Sequence, residues 1–180
     1  MSQWDFDLQH SSIGFHVRHL MVSKVHGRFG TWSGELQFDP EHPEASRLAV
    51  TIDAASLDTR DQKRDDHLRS PDFLDVAQFP HITFTSTKIE RRGDDAFELA
   101  GDLTIHGVTR PVAIAVEGGG VVKDPWGGTR TGFSGKTAIS RKDFGMTWNV
   151  ALEAGGIVVG DKVEITLEIE AVHKAATAAA

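Results

Sequence analysis

The sequence predicts an all-β antiparallel fold, a barrel or a sandwich, interrupted by one helical segment. Three observations predict it. Apolar and polar residues alternate with period two over most of the chain. Glycine-rich or polar turns separate the alternating runs. And residues 101–116, GDLTIHGVTRPVAIAV, contain a hairpin that parity alone reveals.

In that stretch the large apolar residues sit at odd positions before His106 and Gly107, at Leu103 and Ile105. After the pair they sit at even ones: Val108, Val112, Ile114 and Val116. A two-residue turn demands this switch, because residue 105 must then face residue 108 on the same side of the sheet. Gly107 supplies the positive φ such a turn needs. The same inward row carries Arg110, level with Leu103, and a cation there marks a wet opening or a site for a polar ligand group.

Taken in order, Trp4, Phe6 and Leu8 begin the alternation, and Ile13, Phe15 and Val17 continue it against Gly14, His16 and Arg18. Strand patterns follow over 32–38, 48–52, 81–87, 97–105, 108–116 and 130–139. Residues 162–172 are the cleanest, with Val163, Ile165, Leu167, Ile169 and Ala171 on one face. Arg92-Gly93-Asp94-Asp95 and Gly118-Gly119-Gly120 read as turns. Residues 59–76 break the period and are rich in helix formers. Ser70-Pro71 reads as the N-cap and first residue of a second short helix, anchored by Phe73 and Leu74. The first helix has Leu68 as its only large aliphatic, so it is expected to lie over one end of a barrel. Residues 1–174 are expected to form one domain, with 175–180 an unstructured Ala-rich tail.

Bulk properties narrow the function. With 180 residues, 39% apolar and 25% charged, the chain can bury a sizeable core. A net charge of −7 argues against a nucleic-acid partner, which requires a basic stripe. The absence of cysteine excludes disulfides and thiolate metal sites. No basic and apolar leader precedes Trp4, so a cytoplasmic location is expected, or a periplasmic one if the N-terminus has been trimmed.

Catalytic motifs are lacking: there is no GxSxG and no helix-opening GxGxxG. His16 and His19 are three apart on a strand and face opposite ways, so they and His26 are not expected to share an ion. Neither metal nor cofactor is expected. What remains is an apolar set of Phe15, Val17, Phe29, Phe84, Leu103, Ile105, Ile114, Phe133, Phe144, Met146 and Trp148, with Arg18, His19, Arg110, Arg141 and Asp143 among them. This is either a packed β core or the wall of a cavity. Small residues around Phe133, in TGFSGKT at 131–137, favour the cavity, since an eight-stranded barrel is just wide enough for one small ligand.

Four blocks resolve into a family: HSSIGFHVRHLMVSKVHGRFGTWSGEL (10–36), RDDHLRSPDFLDVAQFPHITFTST (64–87), GDLTIHGVTRPV (101–112) and SRKDFGM (140–146). In this order, and together with their surroundings, they resemble the YceI-like family of polyisoprenoid-binding proteins from Trp4 to Val172. The resemblance implies an extended, lipocalin-like barrel of eight antiparallel strands with a short helical insertion over one end. Its lumen would take an elongated amphiphile, such as a polyprenyl diphosphate or a quinone tail. Phe15, Val17, His19, Phe29 and Gly34 match the first block. Asp66, Leu68, Phe73, Pro80 and Phe84 match the second, and Arg141, Phe144 and Gly145 the last. Two features depart from the family pattern: no export signal is visible, and the chain lacks Tyr, with Leu74 and Phe79 where aromatics are common.

The expected function is therefore carriage or sequestration of a long-chain isoprenoid or other lipid. The alternatives are a fatty acid or amide binder, and an enzyme enclosing an isoprenoid- or polyene-derived substrate. A homodimer is expected on family grounds, with transient membrane contact as a further candidate partner. Arg18, His19, Arg110 and Arg141 are the cations available to a polar head, unless they pair with acids such as Asp66 or Asp143. Burying about 40 carbons at ~0.8 kcal/mol each gives a gross gain near 30 kcal/mol, beyond the affinity ceiling of about 18–21 kcal/mol. Against a bilayer, where the tail is already dry, lumen shape and head group must supply the discrimination.

Overall fold

The computed structural model describes residues 2–153 and 155–174, so the tail at 175–180 lies outside the described residues. The strands are β1 (Ser2–Phe6), β2 (Ser12–His19), β3 (Ser23–Phe29), β4 (Trp32–Phe38), β5 (Arg47–Asp53), β6 (Leu57–Asp58), β7 (His81–Arg91), β8 (Ala96–Ile105), β9 (Val108–Lys123), β10 (Thr129–Ser140) and β11 (Val159–His173). One helix, α1 (Gln62–Arg69), lies between β6 and β7.

These segments make eight staves of a closed antiparallel barrel. β1 and β2 form one stave, since both pair with β11, at Phe6 with Ala171 and at Phe15 with Ile165. β3 and β4 form the second, paired with β2 and β1 respectively. β5 and β6 form the third, and β7 to β11 follow in chain order. Each stave joins its sequence neighbour and β11 meets the first, although β3 is laddered to the third stave only at Arg28 and Phe29, so its edge from Ser23 to Gly27 has no strand partner among the described residues.

The His106-Gly107 hairpin forms as parity requires: Ile105 faces Val108 and Leu103 faces Arg110, with φ of 52° and 72° at the turn. Other expectations are corrected. Gly118-Gly119-Gly120 is not a turn but a bulge inside β9, where a Cβ on Gly118 would meet the Gly132 carbonyl at 2.2 Å. The reversal comes later, at Asp124, whose carboxylate accepts from the Trp126 and Gly128 amides. Leu8 lies beyond β1, exposed in a turn around Asp7. β3 was not foreseen, because SKVHGRF offers only Val25 and Phe29 as an inward signal.

Helix α1 is shorter than expected. It begins at an Asp61 cap whose side chain accepts from the Arg64 amide at 3.0 Å. Ser70 ends this helix rather than opening another, its amide and hydroxyl both donating to the His67 carbonyl. Residues 70–79 then form consecutive turns, reversed by Asp75 at φ 47°, a conformation no helix contains. Burying both Phe73 and Leu74 under the barrel end requires that sharper path.

Candidate functional site

The inward rows of the staves enclose a cavity of about 300 Å³, at the lower end of the usual ligand-pocket range of roughly 300–1,000 Å³. One ring of its wall runs Val116, Gly135, Leu167, Ile13, Phe29 and Leu57 across neighbouring staves. Although the side chains of these inward rows touch the core, many keep exposed area. Ile165, Leu167 and Ile169, in the middle of β11, are only half-buried, as are Val50, Val112 and Val116. A filled barrel would bury that row completely.

Two glycines keep the lumen clear. Phe15 reaches over Gly27 on the next stave, where a Cβ would sit 2.3 Å from the tip of its ring. Phe84 folds in the same way over Gly101, at 2.4 Å. Each ring is laid along the wall instead of projecting across the space, because the neighbouring position carries no side chain. Gly135 adds to the effect opposite Leu167.

Among the described lining residues, the polar side chains are Ser46, Arg47, Thr137 and Arg141. Three of these are occupied elsewhere. Ser46 Oγ accepts from the Asp39 amide and Thr137 Oγ1 donates to the Ala113 carbonyl. Arg141, 3% exposed, donates to the carbonyls of Gly160, Met146 and Trp148 at 2.8–2.9 Å and reaches Asp161. Burial pulls its guanidinium below its ordinary pKa, with Asp161 opposing. It ties the loop after β10 to the start of β11 and has little left to offer a ligand. Arg47, at the rim of the opposite end, is exposed and has no ion-pair partner among the described residues.

Of the sixteen residues singled out from the sequence, twelve line this cavity. Phe15, Val17 and Phe29 come from β2 and β3, and Phe84, Leu103, Ile105 and Ile114 from β7 to β9. Phe133 comes from β10 and Arg141 from just after it, while Leu68, Phe73 and Met146 cap one end. Four stand outside the wall. Arg110 has the inward register, but its exposed guanidinium turns out to the Asp143 carbonyl at 3.1 Å. His19 sits at the end of β2 opposite Val159. Phe144 is buried in a tight turn behind the wall, and Trp148 packs on His67 and Phe73 at 4.6 and 5.3 Å. Arg18 points outward. Sequence reasoning passed over most of the wall, including Trp32, Val50, Ile82 and Leu99. Their signal was present, since each belongs to the inward parity of its strand.

Asp7, His10 and Glu170 gather near the other end within reach of one ion. Arg130 already fills that position, donating to Asp7 at 2.8 Å, Glu170 at 2.5 Å and Asp124 at 2.9 Å. A cation bound to these carboxylates does the work a metal would do.

A sequence profile of the YceI-like domain matches residues 4–171. The chain belongs to the YceI-like family. A UPF0312 protein of Vibrio vulnificus (strain YJ016) is 47% identical over 135 residues, covering 75% of this chain and 71% of the relative. One from Ectopseudomonas mendocina is 40% identical over 166 residues, 92% of this chain and 84% of the other. Among solved structures, BcnA of Burkholderia cenocepacia superposes with a TM-score of 0.78 at 26% identity, covering 92% of this YceI-like chain and 99% of its own. The YCEI protein of Campylobacter jejuni gives 0.74 at 35% identity, with 88% and 90% covered. A polyisoprenoid binding domain from Saccharophagus degradans gives 0.70 at 15% identity, covering 97% and 100%, a likeness of fold alone.

Proposed function

We propose that this YceI-like barrel binds one elongated apolar lipid in its lumen, an isoprenoid chain such as that of a polyprenyl diphosphate or a quinone, for carriage or sequestration. The half-exposed inward row in mid-barrel carries this reading. Apolar surface that is neither packed nor wet by design is stabilised by a ligand that covers it. A lining without Asp, Glu, His or Lys suits holding a chain more than moving protons. The Saccharophagus degradans neighbour, described as a polyisoprenoid binding domain, supports the isoprenoid class. With Arg141 occupied by backbone carbonyls, the polar head belongs at the lumen's mouth and not inside it. The family resemblance adds a homodimer, which light scattering at two concentrations tests.

Native mass spectrometry of protein purified without detergent is the direct test. The expected spectrum shows a co-purified lipid of one main chain length. In Leu167→Trp, which fills the space beside Gly135, that lipid should be lost or shortened while the fold is kept. A ligand-free protein that also fails to take up added polyprenols and fatty acids would overturn the proposal. Uptake of fatty acids alone would replace the isoprenoid by a straight chain.

A further inference from the structure

The hairpin between β2 and β3 breaks two local rules at once. Its turn holds Leu20 at φ 51° and Met21 at φ 59°, the left-handed region that Gly, Asn and Asp occupy readily and bulky apolar residues avoid. Yet Leu20, Met21 and Val22 gain no core for it, because Met21 is 63% and Val22 83% exposed. Asn-Gly would make the turn without strain and without apolar surface. Neither turn chemistry nor packing accounts for these residues, and such local violations mark functional positions.

Behind the tip, the outer face of the same staves is cationic. Arg18 stands directly across from Lys24, and Lys162 follows the irregular stretch of β11 that faces Arg18, one position before Val163, the partner of Val17. All three are exposed, and Arg18 and Lys24 have no ion-pair partner among the described residues. The next outward row is His26, His16 and Glu164, where Lys162 and His16 both bond the one carboxylate and hold its pKa below the ordinary range. Arg28 and Lys136 follow, Arg28 paired with Asp58. In a chain of net charge −7 this is a segregated field. Outward rows at the same end of β7, β8 and β9, such as Thr83, Thr104 and Thr109, carry no cation.

The tip is also continuous with the lumen. Val17 and Val159, just behind it on β2 and β11, line the cavity. Val150, 48% exposed in the neighbouring loop, accepts through its carbonyl from the Val158 amide and extends the apolar surface.

We propose that the β2–β3 hairpin is a membrane-docking tip: Leu20, Met21 and Val22 enter the interfacial layer of an anionic lipid bilayer, Arg18, Lys24 and Lys162 hold it there, and the lumen end beside it exchanges lipid with that surface. This rests on the lumen-binding reading above. Apolar insertion and cationic attraction are each weak alone and together make a reversible anchor. The end of β9 and the turn after it offer exposed Val122 and Trp126 at the opposite end, but there the one neighbouring cation without an ion pair among the described residues is Lys123, beside the carboxylates of Asp124 and Glu170.

The test is co-sedimentation with vesicles of phosphatidylcholine alone and of phosphatidylcholine mixed with phosphatidylglycerol. The wild type should bind only the anionic vesicles, and less as salt rises. Met21→Asp with Val22→Asp should weaken binding at least tenfold, Arg18→Glu with Lys24→Glu by a similar factor, and Trp126→Ser not at all. Uptake of the neutral fluorophore N-phenyl-1-naphthylamine, measured without vesicles, reports the lumen separately and should be equal in all four proteins. Vesicle binding that survives the tip substitutions, or that follows Trp126 instead, overturns docking while the lumen reading stands. Fluorophore uptake by none of them overturns the lumen reading whatever the vesicles show. If the wild type binds no vesicles and the tip substitutions turn a dimer into a monomer, the tip is a contact between two copies and the proposal fails.

Discussion

The two ends of the barrel are closed by different means. At one end the plug is made by the staves themselves. The Trp4 and Phe38 rings meet edge to face at 5.8 Å and Phe38 meets Phe133 at 5.1 Å, while the Trp4 indole donates to the Phe38 carbonyl at 3.1 Å. Arg130 knots Asp7, Asp124 and Glu170 together outside it. At the other end the cover is α1 and the turns at 70–79, which belong to no strand. They are held by Leu68, Phe73 and Leu74, by Arg69 on the Ala55 and Leu57 carbonyls, and beside them by the Arg141 cluster. Opening the plugged end means breaking β ladder, whereas the covered end can part by a local motion of a few turns. The covered end, which is also the end that carries the apolar hairpin tip, is therefore the easier of the two to open.

That contrast breaks most readily at Arg141. Arg141→Met leaves three carbonyls without their donor in a buried setting and should cost about 3–5 kcal/mol, given ~1–3 kcal/mol per unsatisfied buried group. Denaturant titration measures the loss, and hydrogen exchange should speed up over 141–160 before the aromatic end responds. A loss below about 1 kcal/mol would mean that the covered end is held by other contacts. Phe38→Ala tests the other closure. It should cost about 3 kcal/mol by leaving a cavity among fixed rings, and exchange in α1 should stay unchanged. Coupled loosening of both ends would erase the distinction.

Between the ends, Leu167→Ala should cost only about 1–2 kcal/mol, less than the ~2–5 kcal/mol of a packed core leucine, because its side chain already borders open space. A full core penalty in ligand-free protein would show a filled lumen. The smallest effect is electrostatic. Arg130, and after it His10, hold the Asp7 carboxyl at about 2, below its ordinary 3.8. A depressed carboxylate adds stability above its unfolded value and loses it as pH falls through the folded one, so this contribution fades between about pH 4 and 2. His10 is raised by the same Asp7 carboxylate, so its share is present below its ordinary value and is lost as pH rises past the raised one. Arg130→Met should flatten the acid side of a melting-temperature profile, and an unchanged slope would separate Asp7 from the plug.

Legibility followed the range of the interaction responsible. Alternation is a local property, so β8, β9, β10 and β11 and the hairpin at Gly107 could be read directly, and with them the inward parity of the side chains these strands give to the wall. The second helix expected at Ser70-Pro71 failed because Phe73 and Leu74 had to reach the barrel end, a demand that no local propensity expresses. Arg110 had the inward register yet turned away, because at the barrel's end a long side chain reaches water and the Asp143 carbonyl more cheaply than an apolar interior. The overall negative charge pointed away from any basic surface, and only the pairing of β2 with β3 set Arg18 against Lys24, with Lys162 following on the neighbouring β11.

By itself, then, the sequence determined which residues could face inward, through a side-chain period of two that each strand carries independently of its partners. It did not determine whether that interior would be full or empty. That depends on which positions meet across the staves: Phe15 on Gly27, Phe84 against Gly101, Leu167 beside Gly135. A ring placed next to a glycine lies along the wall, and the same ring placed next to a leucine would have crossed the lumen. Register is a property of paired strands and not of any one of them, so the cavity came into being only with the closed barrel.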